Sequence, residues 1–255
     1  MSVPNLSLAG KVAIVTGGKR GIGKAIALAF AEAGADVAIC GRVIKDGELE
    51  AVAEEIRRLG RRSLAIKADT SHKADVDRMV HEVIAKFGTI DILVNNAGTV
   101  ITSPLLDMSE SDWDEVINVN LKGCYLCSQA VGKIMVERKK GNIINIASIF
   151  AFKAIPTRGA YCVAKAGVVM LTRVLARELG SYGIRANAIA PGMVKTEFSR
   201  EGWTNPEILK RANAETPLGR IAETNDIVGA ALFLASGASD YITGHTIVID
   251  GGRLA

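Results

Sequence analysis

The chain has 255 residues, of which 49% are apolar and 23% charged, and this balance excludes a largely disordered protein. Its formal net charge is +4, and the 31 basic and 27 acidic residues are interspersed, so we expect neither a nucleic-acid-binding stripe nor a membrane-binding patch. No apolar run reaches the ~20 residues of a membrane span, and no secretory signal opens the chain. We therefore expect one cytoplasmic domain over residues 1–255, with reduced cysteines.

The first predicted strand and helix enclose a glycine-rich turn. The strand covers residues 11–16 and the helix residues 24–33, with Gly17, Gly21 and Gly23 between them. Glycines let bare backbone approach a ligand, and the amino end of a helix directs N–H groups towards it, so the turn is typical of a phosphate site. The spacing is not the tighter G-x-G-x-x-G, and many turns carry glycines for geometry alone. Its place at the start of a βαβ unit favours dinucleotide binding.

The second predicted strand, residues 36–40, ends at a glycine followed by Arg42. In dinucleotide folds an acidic residue near this point binds the adenosine ribose, whereas an arginine accommodates a 2′-phosphate. Arg42 and the two cations of the glycine turn, Lys19 and Arg20, converge here, so we predict NADP(H) as the preferred cofactor and NAD(H) as the alternative. Two other interpretations stay open: Arg42 is a solvated loop residue, or Asp46 or Glu48 folds back to the ribose.

Strands and helices alternate to the end of the chain. Further strands are predicted over residues 63–66, 91–94, 141–147, 184–190 and 246–249. Further helices are predicted over residues 46–59, from a cap at 69–71 to about 87, over 109–137, from the segment around 161 to about 180, and over 224–235. This rhythm, without internal repeats, predicts an α/β fold: a single Rossmann-like doubly wound parallel sheet of about seven strands with helices on both faces.

Two segments depart from the rhythm. The helix over residues 109–137 carries Asn118, Asn120 and Gly123 in its middle, and these poor helix formers predict a kink or a bound water. Residues 197–220 form neither a clear strand nor a clear helix, and a loop of this length in a compact domain is usually functional. We therefore expect a substrate loop or lid at about residues 192–220.

Cys124 and Cys127 form a C-x-x-C pair, which could indicate a redox or metal site. The pair lies within a helical pattern, without a second such pair and without a histidine nearby. We therefore predict small core residues, and no metal site.

Ser148, Tyr161 and Lys165 form a candidate catalytic group. Ser148 follows an apolar β-branched strand, at the carboxyl end where open α/β sheets bind their ligands. Tyr161 and Lys165 are four residues apart in a helical segment, so both side chains lie on one helix face. A positive charge beside a phenol favours the phenolate, so the pair predicts a tunable acid, although this spacing alone is also common on helix surfaces.

These residues give the chain a resemblance to the short-chain dehydrogenase/reductases of the non-extended type, from residue 8 to residue 252. The motifs that carry the resemblance are Thr16-Gly17-x-x-x-Gly21-Ile22-Gly23, Asp69, Asn95-Asn96-Ala97-Gly98, Asn120, Ser148, Tyr161-x-x-x-Lys165 and Pro191-Gly192-x-x-x-Thr196. Each motif is degenerate alone, but together, in this order and spacing, they are specific.

The resemblance implies roles for the catalytic residues. Tyr161 would be the general acid or base, Ser148 would orient and polarise the substrate oxygen, and Asn120 would hold a water in a proton relay. Lys165 would hold the nicotinamide ribose and lower the pKa of Tyr161.

The resemblance also implies a set of cofactor contacts. The glycines would wrap the pyrophosphate, Asp69 would bind the adenine, and Thr196 would bind the carboxamide. The predicted cofactor-binding residues are Gly17, Lys19, Arg20, Gly21, Ile22, Gly23, Arg42, Asp69, Asn95, Ala97, Gly98, Tyr161, Lys165, Pro191, Gly192, Val194 and Thr196.

The substrate would be a small ketone or secondary alcohol, and its identity stays open. The relatives that look most similar are 3-oxoacyl carrier-protein reductases and sugar or polyol dehydrogenases. Such carrier-protein reductases resemble this chain at Lys139 but carry a second basic residue where Tyr182 stands here, which weakens that assignment. A mostly apolar pocket and ordinary packing are equally good interpretations of the residues Phe150, Phe152, Met193 and Trp203.

Two other classes of protein are alternatives to a ketone reductase. A non-catalytic dinucleotide sensor shares the fold, but it has no need of a tuned phenol. Enoyl reductases resemble the chain less well, because they space their tyrosine and lysine more widely.

Association is predicted from two helices with apolar residues on more than one face, and the family resemblance implies a homotetramer. The alternative is an ordinary core within a thick helix layer. The residues concerned are Val116, Val119, Leu121, Val131, Ile134, Val163, Val168, Val169, Leu171 and Leu175.

Overall fold

A sheet of seven parallel strands lies at the centre of the computed structural model, which describes residues 5–43 and 47–255. The strand order is β3-β2-β1-β4-β5-β6-β7, so successive connections run in opposite directions from the boundary between β1 and β4. The strands are β1 (Val12–Thr16), β2 (Asp36–Gly41), β3 (Ser63–Lys67), β4 (Ile92–Asn95), β5 (Gly141–Ile146), β6 (Ile184–Pro191) and β7 (Thr246–Ile249). The predicted doubly wound fold is confirmed, and every predicted strand overlaps an observed one.

Helices cover both faces of the sheet. Within the described residues the α-helices are α1 (Gly21–Glu32), α2 (Glu48–Arg58), α3 (Lys73–Phe87), α4 (Glu110–Ile117), α5 (Gly123–Arg138), α6 (Gly159–Leu179), α7 (Arg200–Thr204), α8 (Pro206–Ala214) and α9 (Asn225–Ala235). Buried side chains of α1, α2 and α9 form one core with the sheet, and those of α3, α5 and α6 form another.

Strand β1 illustrates why the sheet is covered on both sides. Ala13 and Val15 belong to the core with α1, whereas Val12 and Ile14 belong to the core with α3 and α5. Consecutive strand residues point to opposite faces, so a strand that is apolar at every position has to be buried on both.

The start of α3 differs from the predicted cap at residues 69–71. Helix α3 begins at Lys73, and its N-cap residue, His72, makes no side-chain capping hydrogen bond. The Asp69 carboxylate instead accepts hydrogen bonds from the Ser71 N–H (2.9 Å) and the Ser71 hydroxyl (2.6 Å). The aspartate therefore closes a local turn before the helix, a competing use of the same side chain that the sequence pattern does not distinguish.

The helix predicted over residues 109–137 is interrupted in its middle. Helix α4 passes into a π-helical turn, Asn118–Lys122, and α5 begins directly after it. Such π turns are rare and occur frequently at functional sites. The predicted irregularity at these poor helix formers is therefore a π-helical turn, which changes the pitch of the helix.

The apolar residues of α4 to α6 are distributed differently from the prediction. Val116, Val119, Val131, Val168 and Val169 are buried within the subunit, so they cannot meet a second one. The exposed large apolar side chains of α5 and α6 are Tyr125, Val163, Met170 and Val174, each at least 42% exposed. An apolar face is present on these helices, but only Val163 of the predicted residues lies fully on it.

Helix α6 and the turn after it form an apolar stretch, Gly159–Tyr182, with a mean hydropathy of 1.4. By length and composition alone it is the one stretch of the described residues that could cross a membrane. In this fold its inner face packs against β6 and the π-helical turn, which accounts for its apolar composition.

Candidate active site

The glycine turn between β1 and α1 leaves no room for side chains. Gly17 and Gly21 have φ angles of +64° and +56°, a left-handed conformation that residues with a side chain rarely adopt. A Cβ atom on Gly23 would lie 2.3 Å from the carbonyl oxygen of Gly17. The turn is therefore a bare backbone surface at the amino end of α1, as a diphosphate requires.

Two residues outside the predicted contact set hold this turn against the end of β4. The Thr16 hydroxyl oxygen accepts hydrogen bonds from the N–H groups of Asn96 (2.9 Å) and Ala97 (3.0 Å). The Asn96 amide nitrogen donates to the carbonyl oxygens of Thr16 (2.9 Å) and Gly17 (3.1 Å). Both residues belong to the motifs that define the resemblance, which was the signal for them.

The two predicted cations beyond β1 and β2 are each paired with a carboxylate. Arg42 Nη1 lies 2.7 Å from Glu115 Oε1 of α4, and both side chains are nearly half exposed. Lys19 Nζ lies 3.1 Å from Glu48 Oε2 at the start of α2. Glu48 therefore binds a glycine-turn cation, and Asp46 lies outside the described residues. Glu115 was missed because 73 residues separate it from its partner.

Asp69 lies at the same edge, between the end of β3 and the start of α3. Burial opposes ionisation of its carboxyl group, but the hydrogen bonds from Ser71 outweigh this and lower its pKa. The charge of Arg42 lowers the pKa further. The predicted adenine-binding residue and the predicted phosphate-binding residue are thus electrostatically coupled neighbours.

Ser148, Tyr161 and Lys165 come together where β5 ends and α6 begins. All three side chains are at most 9% exposed. Lys165 Nζ donates to the carbonyl oxygen of Ile146 at 2.7 Å and lies 5.6 Å from the centroid of the Tyr161 ring. The structure therefore brings the predicted catalytic group into one place.

The pKa values of this group show which charges act on it. Burial raises the pKa of Tyr161 to about 12, while a hydrogen bond with Ser148 and the charge of Arg158 oppose the rise. Burial lowers the pKa of Lys165 to about 8. Arg158 is thus a cation near the phenol that the sequence analysis did not name. Arg158 was missed because it belongs to none of the recognised motifs.

Asn120 lies in the π-helical turn beside this group. Its amide nitrogen donates to the carbonyl oxygens of Thr99 and Val116, both at 2.8 Å. Its buried Oδ1 atom has no hydrogen-bond partner. Asn120, Lys165 and Thr16 line a cavity of about 10 Å³, the scale of a single water site. An unpartnered acceptor oxygen on a residue that lines a small polar cavity suits a relay water.

Asn95 also lines this cavity; its amide nitrogen is engaged in the core, while its buried Oδ1 atom has no hydrogen-bond partner. Its nitrogen donates to the Ser128 hydroxyl (3.0 Å) and to Asn145 Oδ1 (2.9 Å). Asn145 in turn donates to the Thr172 hydroxyl on α6 (2.8 Å). This buried polar chain joins β4, β5, α5 and α6, so Asn95 positions the elements that carry the site.

The remaining predicted contacts fall at the same edge of the sheet. Thr196 lies close to the glycine turn, since a Cβ on Gly21 would be 3.2 Å from Thr196 Cγ2. A Cβ on Gly98 would be 2.8 Å from Asn120 Oδ1. Pro191 is the last residue of β6 and Gly192 follows it, while Val194 is buried. In the glycine turn, Ile22 packs against the core and Arg20 is exposed.

Residues 197–220 contain α7 and α8 and approach the site through one aromatic ring. Phe198 is 48% exposed, and the centroid of its ring lies 6.0 Å from the centroid of the Tyr161 ring. Trp203 instead donates to the carbonyl oxygen of Thr196 (2.7 Å) and lines an open groove with Lys195. Phe150 packs beside Tyr161, whereas Phe152 is 49% exposed.

The two cysteines of the C-x-x-C pair are buried in α5, as predicted for core residues. Cys124 and Cys127 are at most 7% exposed. Burial raises the pKa of the Cys124 thiol to about 12. A thiol held protonated in this way is an apolar packing group.

Comparison with known proteins gives a consistent result. Residues 17–253 match a family model described as enoyl-(acyl carrier protein) reductase. The chain is 42% identical over 242 residues to the 3-oxoacyl-[acyl-carrier-protein] reductase FabG of Staphylococcus epidermidis, covering 95% of this chain and 98% of that protein. It is 44% identical over 250 residues to the (2S)-[(R)-hydroxy(phenyl)methyl]succinyl-CoA dehydrogenase subunit BbsD of Thauera aromatica, covering 97% and 98%. A gluconate 5-dehydrogenase from Burkholderia cenocepacia, solved with NADP and tartrate, superimposes with a TM-score of 0.94 at 37% identity, with 98% of each chain covered.

Proposed function

The chain belongs to the short-chain dehydrogenase/reductase family, and we propose that it is an NADP(H)-dependent oxidoreductase in which Tyr161 is the general acid and base. Its reaction class, with a nicotinamide cofactor, is the interconversion of a carbonyl group and an alcohol. One observation carries the proposal: Ser148, Tyr161 and Lys165 meet at the carboxyl edge of the sheet, beside the unpartnered oxygen of Asn120.

The residues at this edge fit a dinucleotide. The bare glycine turn and the start of α1 offer N–H groups for its diphosphate, since any side chain on Gly23 would collide with Gly17. Arg42 and Lys19 offer two cations beyond β2 for a 2′-phosphate. Thr196, next to Gly21, would hold the nicotinamide end. When bound, the nicotinamide supplies or accepts the hydride at the substrate carbon.

Tyr161 would move the proton that accompanies this hydride. In the reducing direction its hydroxyl donates a proton to the carbonyl oxygen, and in the oxidising direction the phenolate removes the proton from the alcohol. The Ser148 hydroxyl donates a hydrogen bond to the same oxygen and fixes its position. A phenol whose pKa is raised by burial is fully protonated at neutral pH, which suits the reducing direction.

Lys165 and Asn120 would return the proton to Tyr161. Lys165 lines the small cavity together with Asn120 of the π-helical turn. A water in this cavity would pass a proton from solvent to Lys165. A lysine whose pKa is lowered to about 8 is able to release a proton near neutral pH, unlike one with an ordinary value. The lid formed by residues 192–220 would then close over the substrate through Phe198.

The second candidate is a 3-oxoacyl carrier-protein reductase, which the 42% identity to FabG over nearly the whole chain favours. Tyr182 again weakens it, because it is 43% exposed where a second cation is expected for an acidic carrier. The enoyl reductase description of the family model is a third substrate class. It disagrees with the close spacing of Tyr161 and Lys165.

Replacement of Tyr161 tests the proposal. Tyr161→Phe removes the proton donor but keeps the ring, so kcat should fall ~10²–10⁴-fold while the Kd for NADPH stays near wild type. The assay follows NADPH absorbance with a panel of ketones, 3-oxoacyl thioesters and enoyl thioesters. Tyr241→Phe, at a fully exposed tyrosine in the loop before β7, is the matched control and should keep full activity.

Three outcomes would contradict the proposal. A Tyr161→Phe protein with more than about a tenth of wild-type kcat would exclude the phenol as the acid. Reduction of enoyl thioesters without reduction of any ketone would assign the third class. Tight NADPH binding without turnover of any member of the panel would favour the sensor.

A further inference from the structure

Arg158 is a cation beside the catalytic tyrosine that the mechanism above does not use. It is the residue before α6, one helical turn ahead of Tyr161, and its carbonyl oxygen accepts the N–H of Cys162 at 3.0 Å. Residues three apart at the start of a helix are neighbours on its surface. Its side chain is partly buried, and within residues 5–43 and 47–255 no carboxylate pairs with it.

The backbone that carries Arg158 is held in a strained conformation. Thr157 has a φ of +65°, in the left-handed region that a β-branched side chain strongly disfavours. The preceding loop fixes it there, since the Ser103 N–H donates to the Thr157 carbonyl oxygen at 2.8 Å and Ser103 forms a bridge with Arg158. Strain of this kind persists where the surroundings impose it, and it clusters at functional sites.

Two partly exposed apolar side chains lie near the start of α6, which Arg158 directly precedes. The Leu105 side chain lies against the start of α6, 3.1 Å from where a Cβ on Gly159 would be. Leu105 and Phe198 are both about half exposed, so they present apolar surface around the mouth of the site. A guanidinium in such a setting attracts an anion more strongly than one in open water.

We propose that Arg158 binds a carboxylate of the substrate, so that the enzyme acts on an oxo acid and its hydroxy acid. The carboxylate pairs with the guanidinium while the carbonyl or hydroxyl oxygen lies between Ser148 and Tyr161. The planar fork of an arginine matches a carboxylate with two parallel hydrogen bonds. A phosphomonoester carries about −1.5 to −2 charges, which a single cation does not balance. The assignment rests on the proposed carbonyl chemistry and specifies its substrate class.

The test compares matched pairs of substrates and matched variants. Each pair is a 2-, 3- or 4-oxo acid and its neutral primary amide, so the two members share the reacting carbonyl. Arg158→Gln removes the charge with little change of shape, and Arg158→Lys keeps the charge but loses the fork. Arg173→Gln removes the same charge from the exposed face of α6 and serves as the control.

In the wild type, one oxo acid should exceed its amide in kcat/KM. Arg158→Gln should lower that acid-to-amide ratio roughly tenfold or more, the usual scale for a charge-assisted hydrogen bond, and Arg158→Lys should lie between. Any change in the pKa of Tyr161 affects both members alike, so it cancels in the ratio. Arg173→Gln should leave the ratio unchanged.

Calorimetry provides a readout that does not depend on turnover. The oxo acid of the best pair, titrated into enzyme saturated with NADP⁺, forms a complex that has no hydride to transfer, and it should bind roughly tenfold more weakly to Arg158→Gln than to wild type or Arg173→Gln. A wild type that reduces amides as well as acids, or an unchanged ratio and Kd in Arg158→Gln, would overturn the assignment and leave the oxidoreductase proposal standing. Charge-dependent binding without reduction of any carbonyl would support the anion site while defeating the proposed function.

Discussion

Lys165 is buried, with only 4% of its surface exposed, and its ammonium group donates a hydrogen bond to the Ile146 carbonyl oxygen. The site therefore holds a positive charge in a buried position, where removal from water disfavours the charged form. Burial lowers its pKa from 10.5 to about 8. A protonated lysine in the native state thus costs stability at neutral pH, and this cost is a measurable mark of the site.

The stability of the protein should depend on pH through this residue. Below pH 8 both states bind the proton and the full cost of the buried charge is present. Between pH 8 and 10.5 the native state releases the proton while the unfolded state keeps it, so the wild type gains stability as pH rises. From pH 7 to pH 10.5 the wild type should gain about 3 kcal/mol relative to Lys165→Met.

Urea unfolding of both proteins at several pH values measures this gain. Subtraction of the variant cancels the titration of every group that Lys165 does not affect, and it also cancels the loss of the Ile146 contact, which does not titrate. Lys133→Met, on the exposed side of α5, is the control and should follow the wild type. Parallel stability curves for wild type and Lys165→Met would mean that Lys165 has an ordinary pKa.

At the scale of elements, the ends of β2 and α4 meet through the Arg42–Glu115 pair at 2.7 Å. The pair spans the place proposed for the 2′-phosphate, so the carboxylate competes with the phosphate for Arg42. Both side chains are nearly half exposed, and pairs of this kind contribute only about 0.2–1 kcal/mol. A doubly charged phosphate should therefore displace Glu115, with a small loss of affinity.

Cofactor affinity should change in opposite directions when either partner is replaced. Arg42→Ala should weaken NADPH binding roughly tenfold or more, because a charge-assisted contact contributes ~1.5–3 kcal/mol, and NADH binding much less. Glu115→Gln should strengthen NADPH binding a few-fold and leave NADH unchanged. Fluorescence of the bound nicotinamide gives the Kd values, and Glu54→Gln, on the exposed side of α2, controls for net charge.

A wild type with a clear preference for NADH would refute the NADP(H) assignment, whatever the variants do. Weaker NADPH binding in Glu115→Gln would show instead that the glutamate positions Arg42 for the phosphate. Either result separates competition from positioning.

The strands were readable from the sequence because each contains a run of two or more apolar residues. The recognised motifs also located Ser148, Tyr161 and Lys165, since Tyr161 and Lys165 share one helix and Ser148 ends the neighbouring strand. Arg158 and Glu115 could not be found this way. Their roles depend on which side chains approach across the fold, and no local spacing encodes a contact between residues 42 and 115. The predicted cap of α3 was wrong because the Asp69 side chain can either cap a helix or close a local turn, and here it closes the turn with Ser71.

For the whole molecule, the open question is what covers the outer face of α5 and α6. Val163, Met170 and Val174 are spaced by seven and four residues, so they lie on one stripe of α6. Tyr125 on α5 is also exposed and accepts a hydrogen bond from Gln129 at 2.7 Å. This surface differs from most of the residues that the sequence alone predicted, yet it belongs to the same two helices.

We expect these helices to pair with those of a second subunit in a homotetramer. Light scattering of the wild type at micromolar concentration should give four times the mass of one chain. Met170→Glu places a charge in the middle of the stripe, where burial without a partner is costly, so it should yield smaller species. Leu59→Glu is the control, because Leu59 is 44% exposed at the end of α2, a helix that packs against β2, β3 and α1. A monomeric wild type would remove the tetramer, and an intact Met170→Glu tetramer would assign the interface to another surface.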